Sequence, residues 1–85
     1  MTSDPPARLT VFSRAECHLC DDLLDALRPL CEAFGAEIEV IDVDAHPEYG
    51  ALHGERVPVV CGGETELCQY FLDAAAVRAY LRNFR

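Results

Sequence analysis

The spacing of apolar residues changes several times along this chain and predicts alternating strands and helices. Residues 9–13 are apolar on both faces, which is typical of a strand in the centre of a covered sheet. The following segment repeats leucines at helical spacing, and Gly35 suits the end of that helix. The predicted elements are a strand over 9–13, a helix over 17–35, a strand over 37–43, a helix over 47–53, strands over 57–61 and 65–70, and a final helix after 73.

Local signals refine these elements. Pro29 lies inside the first helix, where it removes a hydrogen bond and predicts a kink. The strand over 37–43 mixes apolar and acidic residues, as a half-exposed edge strand does. Asp44 and Asp73 are predicted to cap the helices that follow them, and Gly54 to close the short helix. The final helix is predicted to bury Val77, Tyr80, Leu81 and Phe84.

The order of the elements is β-α-β-α-β-β-α. A helix between the first two strands predicts a right-handed unit in which those strands are parallel. The pair Gly62-Gly63 predicts a tight hairpin between the last two strands. With a two-residue turn there, Cys61 would face Glu64 and Cys68 would face Val57, so a disulfide between these cysteines is not expected.

Composition limits the class of protein. The 85 residues, 51% of them apolar, predict one small folded domain. We expect a flexible N-terminal lead-in over residues 1–7 and the single domain over 8–85, because the lead-in has two prolines and lacks the apolar core of a secretory signal. No apolar run approaches the roughly 20 residues that span a bilayer, so no membrane partner is expected.

Charge and cysteine content limit the classes of partner and the cellular compartment that can be expected. The net charge of −8 and the absence of lysine argue against nucleic acid and favour a monomer. Five cysteines without a secretory signal favour one reactive pair over an extracellular disulfide framework. We therefore expect a cytoplasmic protein.

The reactive pair is predicted in Cys17-His18-Leu19-Cys20, at the junction of the first strand and helix. Its thiols lie one helical turn apart, close enough to form a disulfide. Cys17 meets the unpaired N–H groups and positive dipole end of the helix, which favour a thiolate. A zinc site would need two further ligands; Cys61 and Cys68 do not form a second Cys-x-x-Cys and the histidines are dispersed, so we expect no metal.

This motif, with Val57-Pro58 opening the third strand, resembles the thioredoxin superfamily and within it the glutaredoxin-like proteins. The likeness covers 8–85 and is nearest to a bacterial branch with Cys-His-Leu-Cys and a later Arg-Val-Pro-Val. It implies an α/β thioredoxin-like fold of glutaredoxin type, with a four-stranded mixed sheet and helices on both faces.

The resemblance also implies roles for individual residues. Cys17 would be the nucleophile and Cys20 the resolving thiol. Pro58 would be a cis-proline beside the active site, and the backbone of Val57 would pair with a peptide or glutathione substrate. Arg14 would bind a substrate carboxylate or stabilise the thiolate.

The chain departs from glutaredoxins in two places. His18 and Leu19 replace the usual Pro-Tyr, and His18 is a candidate for tuning the redox potential, against the acidic residues nearby. The Gly-Gly that helps to seat glutathione before the last helix is replaced by Tyr70-Phe71-Leu72-Asp73. Arg56, beside Val57, is a further candidate for substrate contact.

These observations predict a small thiol–disulfide oxidoreductase that acts on protein or low-molecular-weight disulfides through Cys17 and Cys20. No bound cofactor is expected. Glutathione is one candidate reductant, although the replacement of the Gly-Gly argues against a glutathione site. The alternative is a non-catalytic binding or adaptor domain with the same fold. Catalysis that depends on Cys17 separates the two.

Overall fold

The computed structural model describes residues 7–83, and its elements follow the predicted order. Residues 1–6 of the predicted lead-in over 1–7 and the predicted core residue Phe84 lie outside the described residues. The elements are β1 (Arg8–Ser13), α1 (His18–Phe34), β2 (Glu37–Asp42), α2 (Pro47–His53), β3 (Val59–Gly62), β4 (Thr65–Gln69) and α3 (Ala74–Asn83).

The strands form one mixed sheet. Within residues 7–83 its order is β2-β1-β3-β4, with β1 parallel to β2 and antiparallel to β3, and β3 antiparallel to β4. The helix between β1 and β2 makes them parallel and the hairpin makes β3 and β4 antiparallel, as predicted. Ala7 precedes β1 but is bonded to β2, because its carbonyl oxygen accepts from Glu37 N at 2.8 Å.

Apolar side chains fill both faces of the sheet. One face packs against α1 and α3, which contribute Leu23, Leu24, Leu27, Cys31, Val77 and Leu81 to the core. The other face holds a smaller cluster under α2, formed by Phe12, Val43, Val59 and Cys61. Phe12 anchors α2 there by stacking on His53, with ring centroids 4.3 Å apart. The α/β fold with helices on both faces is confirmed.

Helix α1 is the element that positions the predicted site. Cys17 is its N-cap, and Gly35 ends it in the left-handed region at φ 66°, which favours glycine. The helix runs through Pro29 to Phe34 as one element. Its buried face carries Cys20, so the second cysteine of the motif points into the core.

The two predicted aspartate caps have different outcomes. Asp73 accepts a hydrogen bond from Ala76 N at 3.1 Å and caps α3, as predicted. The prediction for Asp44 is wrong: His46 is the N-cap of α2 and makes no side-chain cap bond. The chain turns over residues 42–45, where Ala45 N donates to Asp42 O, and this turn keeps Asp44 away from the helix start.

The hairpin lies one residue later than predicted. Gly63-Glu64 form its turn, Gly62 pairs with Thr65, and Cys61 faces Glu66 rather than Glu64. A β-bulge after Val60 places Cys68 opposite Val60, so the predicted facing of Val57 is also wrong. Gly62 lies in β3 under the Tyr80 ring, which would be 2.5 Å from a Cβ at this position, so the close packing there requires glycine.

Candidate active site

Three loops meet at one end of the sheet. They are residues 14–17 after β1, 54–58 before β3, and 70–73 after β4. Phe12 pairs with Val59 and Val59 pairs with Gln69, so the end of β1, the start of β3 and the end of β4 lie side by side. Tyr70 N also donates to Pro58 O at 2.8 Å. The predicted cysteine motif and the predicted Val57-Pro58 segment therefore lie at the same end of the fold.

Cys17 and Cys20 are joined by a disulfide, with their Cα atoms 5.2 Å apart. Cys17 has an extended backbone, and its Sγ accepts from Cys20 N at 3.1 Å. Cys17 is half-buried, whereas Cys20 is only 1% exposed. The pair therefore offers one sulfur to a partner molecule and keeps the other in the core.

The charges around Cys17 oppose one another. The first turn of α1 aims unpaired N–H groups at the cysteine, which favours a thiolate in the reduced protein. Glu16 precedes it at φ 58°, a left-handed backbone that is uncommon for glutamate, and Asp21 lies in the first turn. These carboxylates disfavour a second negative charge. His18 is exposed at the first helical position, and its role as a tuning group stays a prediction.

Val57 and Pro58 lie at the same end of the sheet as the two cysteines and form the second part of the site. The Val57–Pro58 peptide bond is cis, and Pro58 is almost fully buried. Val57 is half-buried and lies outside β3, which begins at Val59 rather than at the predicted residue 57. Within residues 7–83, neither the N–H nor the C=O of Val57 hydrogen-bonds to another protein group. This backbone can pair with a segment that the chain itself does not supply.

Arg14 contacts Asp44. Its Nε donates to both carboxylate oxygens, at 3.1 and 3.2 Å, in a pair that is exposed on both sides. Such exposed pairs contribute about 0–1 kcal/mol to stability. The role of Arg14 toward a substrate carboxylate stays a prediction, since in this structure the guanidinium is paired within the chain.

Arg56 fastens the 54–58 loop to its neighbours. Its Nη1 donates to Glu66 Oε1 at 2.6 Å and to Gln69 Oε1 at 3.0 Å, both on β4. Its Nη2 donates to Leu52 O at 2.9 Å and lies 3.1 Å from His53 Nδ1, both on α2. The side chain thus joins α2 and β4 on either side of Val57 rather than pointing to an open site.

Tyr70 fastens the same loop from the other direction. Its hydroxyl donates to Glu55 O at 3.2 Å, and its backbone has φ 66°. The sequence predicts Tyr70 at the end of a strand and Asp73 as a helix cap, but it does not predict that residues 70–73 form part of the site. The available signal was the apolar pair Phe71-Leu72 directly before the helix cap Asp73, where a loop is usually polar.

The remaining cysteines are free thiols in apolar surroundings. Burial raises the pKa of the Cys31 thiol. Burial also raises the pKa of Cys61, with a smaller contribution from Glu66 and an opposing one from Arg56. For Cys68 burial again raises the pKa, and a hydrogen bond from the Asp73 backbone partly offsets it. A raised pKa keeps these sulfurs in the unreactive thiol form at neutral pH.

The described part of the chain contains neither a metal-binding cluster nor a membrane-spanning helix. No group of three or more His, Cys, Asp or Glu side chains there is arranged to hold a metal ion. Among the same residues, no helix has the length and apolar character needed to cross a bilayer.

A mixed sheet with a Cys-x-x-Cys disulfide at its first strand–helix junction defines a thioredoxin-like protein. Residues 8–82 match the glutaredoxin-like domain family (DUF836), and the chain belongs to that family. The family assignment agrees with the glutaredoxin-like resemblance that the sequence predicts.

Solved structures agree with this assignment. Protein Ne2328 from Nitrosomonas europaea is 38% identical over 94% of this chain and 96% of its own, with a TM-score of 0.79. Target protein XcR50 from X. campestris is 28% identical over 91% and 99%, with a TM-score of 0.64. Thioredoxin 1 from Thermosipho africanus is 25% identical over 88% and 94%, with a TM-score of 0.62. No curated protein matches the chain.

Proposed function

We propose that this protein is a thiol–disulfide oxidoreductase in which Cys17 is the nucleophile and Cys20 the resolving thiol. The observation that carries the proposal is a half-exposed Cys17 at the N-cap of α1, disulfide-bonded to a buried Cys20. The unpaired backbone of Val57 at the same end of the sheet supports it, because an extended substrate can add there as a short strand. The thioredoxin among the similar structures supports the same chemistry.

The proposed reaction begins with the reduced protein. The Cys17 thiolate attacks one sulfur of a substrate disulfide, the other substrate sulfur leaves and takes up a proton, and a mixed disulfide forms on Cys17. Cys20 then loses its proton and attacks Cys17 Sγ, which releases the second substrate thiol. The net change moves two electrons and two protons from the dithiol to the substrate and leaves the Cys17–Cys20 disulfide.

A redox titration tests this proposal. The protein is equilibrated in thiol–disulfide buffers of known potential, quenched by alkylation and weighed. We expect one two-electron couple, an oxidised form about 2 Da lighter than the dithiol before alkylation, and loss of the couple in Cys17→Ser but not in the matched Cys31→Ala. Thiols that stay fully alkylatable at every potential would overturn the proposal.

The alternative is a docking domain without turnover. The observation that favours it is the exposed apolar Phe71 beside the site, since docking surfaces expose such residues. Reduction of 2-hydroxyethyl disulfide in the presence of a dithiol reductant separates the two functions. The oxidoreductase accelerates that reaction in a manner that depends on Cys17, whereas a docking domain leaves the uncatalysed rate unchanged.

A further inference from the structure

An apolar groove lies directly beside the cysteine motif. It runs between the first two turns of α1 and the segment that joins β4 to α3. We call it the apolar groove, and its walls are Leu19, Leu23 and Ala26 on one side and Tyr70, Phe71 and Leu72 on the other. Because Leu19 lies between the two cysteines, the groove begins inside the motif itself.

Much of the exposed apolar surface of the described residues lies in this groove. Six large apolar side chains are exposed among the described residues, and three of them, Leu19, Tyr70 and Phe71, line this one groove. Phe71 is the most exposed of the six, at 70%. Single exposed apolar residues are ordinary, but a group beside a reactive site marks a docking surface.

The size of the groove limits what it can take. Its volume is about 140 Å³, whereas sites that enclose a whole small molecule usually measure roughly 300–1,000 Å³. The space therefore suits one apolar side chain of a longer polypeptide. The rest of such a polypeptide would lie along the surface, where the unpaired Val57 backbone can hold its extended chain.

The charge around the groove selects the kind of polypeptide. Asp22 lies in its lining. The two segments that build the groove and the motif, residues 15–26 and 70–73, contain no lysine or arginine. Their acidic residues are Glu16, Asp21, Asp22, Asp25 and Asp73. The nearest arginines are paired within the chain, Arg14 with Asp44 and Arg28 with Asp25, so Asp22 is the carboxylate that the groove itself presents. An apolar groove with a carboxylate in its lining, in a chain of net charge −8, is complementary to a basic partner with an apolar side chain.

We propose that the apolar groove docks one apolar side chain of a disulfide-containing polypeptide that carries lysine or arginine next to that side chain. This inference rests on the proposed function and names its substrate class. Glutathione fits poorly, because it has two carboxylates, one ammonium group and no apolar side chain to place in the groove. A second copy of this chain fits poorly too, because each copy has a net charge of −8.

Single-turnover kinetics test the inference. Four synthetic peptides each hold one cysteine as a mixed disulfide with 2-mercaptoethanol, combining leucine or serine near the cysteine with flanking lysines or glutamates. The reduced protein is mixed with each peptide, with oxidised glutathione and with 2-hydroxyethyl disulfide, and oxidation of Cys17 and Cys20 is followed by mass. We expect the leucine–lysine peptide to react about tenfold faster than its serine counterpart, as partial burial of one leucine predicts.

The contribution of charge to peptide preference is measured from its dependence on salt concentration. We expect the lysine peptides to react several-fold faster than the glutamate peptides at low salt and to lose most of that advantage at about 1 M salt, where screening acts within roughly 3 Å. Asp22→Asn should reduce the lysine preference. Oxidised glutathione should react more slowly than the leucine–lysine peptide.

Matched variants locate the effect. Phe71→Ser should reduce the preference for leucine over serine, and Leu19→Ser should do the same from the opposite wall. The control is Phe34→Ser, since Phe34 is also an exposed phenylalanine, at 41%, but lies at the far end of α1. Sixteen residues of helix place it roughly 24 Å from the motif, and its replacement should change none of the rates.

The outcomes separate the inference from the function on which it rests. Reduction of 2-hydroxyethyl disulfide together with equal rates for all four peptides and for oxidised glutathione would overturn the inference and leave the oxidoreductase intact. A protein that reduces no disulfide would overturn the proposed function. A dimer in sedimentation that Phe71→Ser dissociates would assign the groove to a second copy and overturn the inference.

Discussion

Helix α1 has cysteines at both ends, and Cys17 at its start differs from Cys31 near its end in exposure, bonding and position relative to the helix dipole. Cys17 is the N-cap, half-exposed and bonded to Cys20, and the positive end of the helix dipole faces it. Cys31 lies near the other end at 2% exposure, and burial raises its pKa. The last turn of α1 contains no basic residue. Position on the helix, rather than residue type, assigns the chemistry.

The surroundings of the Cys17 end and the Cys31 end of α1 also differ. At the Cys17 end, Arg56 and Tyr70 fasten the 54–58 loop so that the unpaired Val57 backbone is held beside the disulfide. At the Cys31 end, Gly35 closes the helix with bonds to Cys31 O and Glu32 O, and the chain turns directly into β2. The Cys17 end thus leaves backbone groups free to bind a partner. At the Cys31 end, the backbone groups hydrogen-bond within the chain.

The largest difference should appear in alkylation of the reduced native protein. Cys17 should react with iodoacetamide much faster than Cys31, Cys61 or Cys68 at neutral pH, because it lies half-exposed at the positive end of α1, whereas burial raises the pKa of each of the other three thiols. Since the pKa of each of these three thiols is raised, their rates should increase only above the ordinary range of cysteine titration. Peptide mapping after short exposures to the reagent measures all four rates. Equal rates for Cys17 and Cys31 would contradict the claim that their positions on α1 give them different reactivity.

A smaller effect should follow from releasing the loop at the Cys17 end. Arg56→Ala removes the contacts to Leu52, Glu66 and Gln69, so Val57 should hold an extended substrate less well. We expect KM for a peptide disulfide to rise about fivefold, the loss of roughly 1 kcal/mol of binding, with kcat unchanged. Steady-state kinetics with a dithiol reductant measure both.

The control for that variant is an ion pair at the opposite end of the sheet. Arg8 and Glu37 pair at 3.4 Å and are both exposed. Arg8→Ala should leave KM unchanged, and each variant should lower stability by about 1 kcal/mol or less. A fall in kcat with an unchanged KM in Arg56→Ala would contradict a positioning role for Arg56.

The smallest effect should come from the carboxylate next to each cysteine. Glu16→Gln removes a negative charge beside Cys17 and should make alkylation of Cys17 two- to threefold faster at neutral pH, an effect of about 0.5 kcal/mol. Glu32→Gln beside Cys31 should change nothing, because burial alone raises the Cys31 pKa. An equal response at both positions would show that local charge, rather than helix position, separates the two cysteines.

Much of the fold follows from local patterns in the sequence. The 3.6-residue spacing of leucines predicts α1, and the glycine at position 35 predicts its end because only the left-handed region closes the helix there. Asp73 is a correct cap prediction, since it directly precedes the helix that it serves. These signals act over three or four residues, so the sequence displays them directly.

What could not be predicted depends on contacts between distant segments. The hairpin turns at Gly63-Glu64, and Gly62 lies in β3 under the ring of Tyr80, a contact between residues eighteen positions apart. Asp44 resembles a cap in the sequence but pairs with Arg14, thirty residues away. The apolar groove forms only when residues 70–72 reach the second turn of α1, so its two walls appear unrelated along the chain.

Trapping the mixed disulfide tests the central claim most directly. Cys20→Ser removes the resolving thiol, so a substrate captured by Cys17 cannot be released by the second step. Incubated with the leucine–lysine peptide disulfide, this variant should retain one peptide adduct, and mass mapping should place it on Cys17. An adduct on Cys31, Cys61 or Cys68, or no adduct at all, would contradict the account.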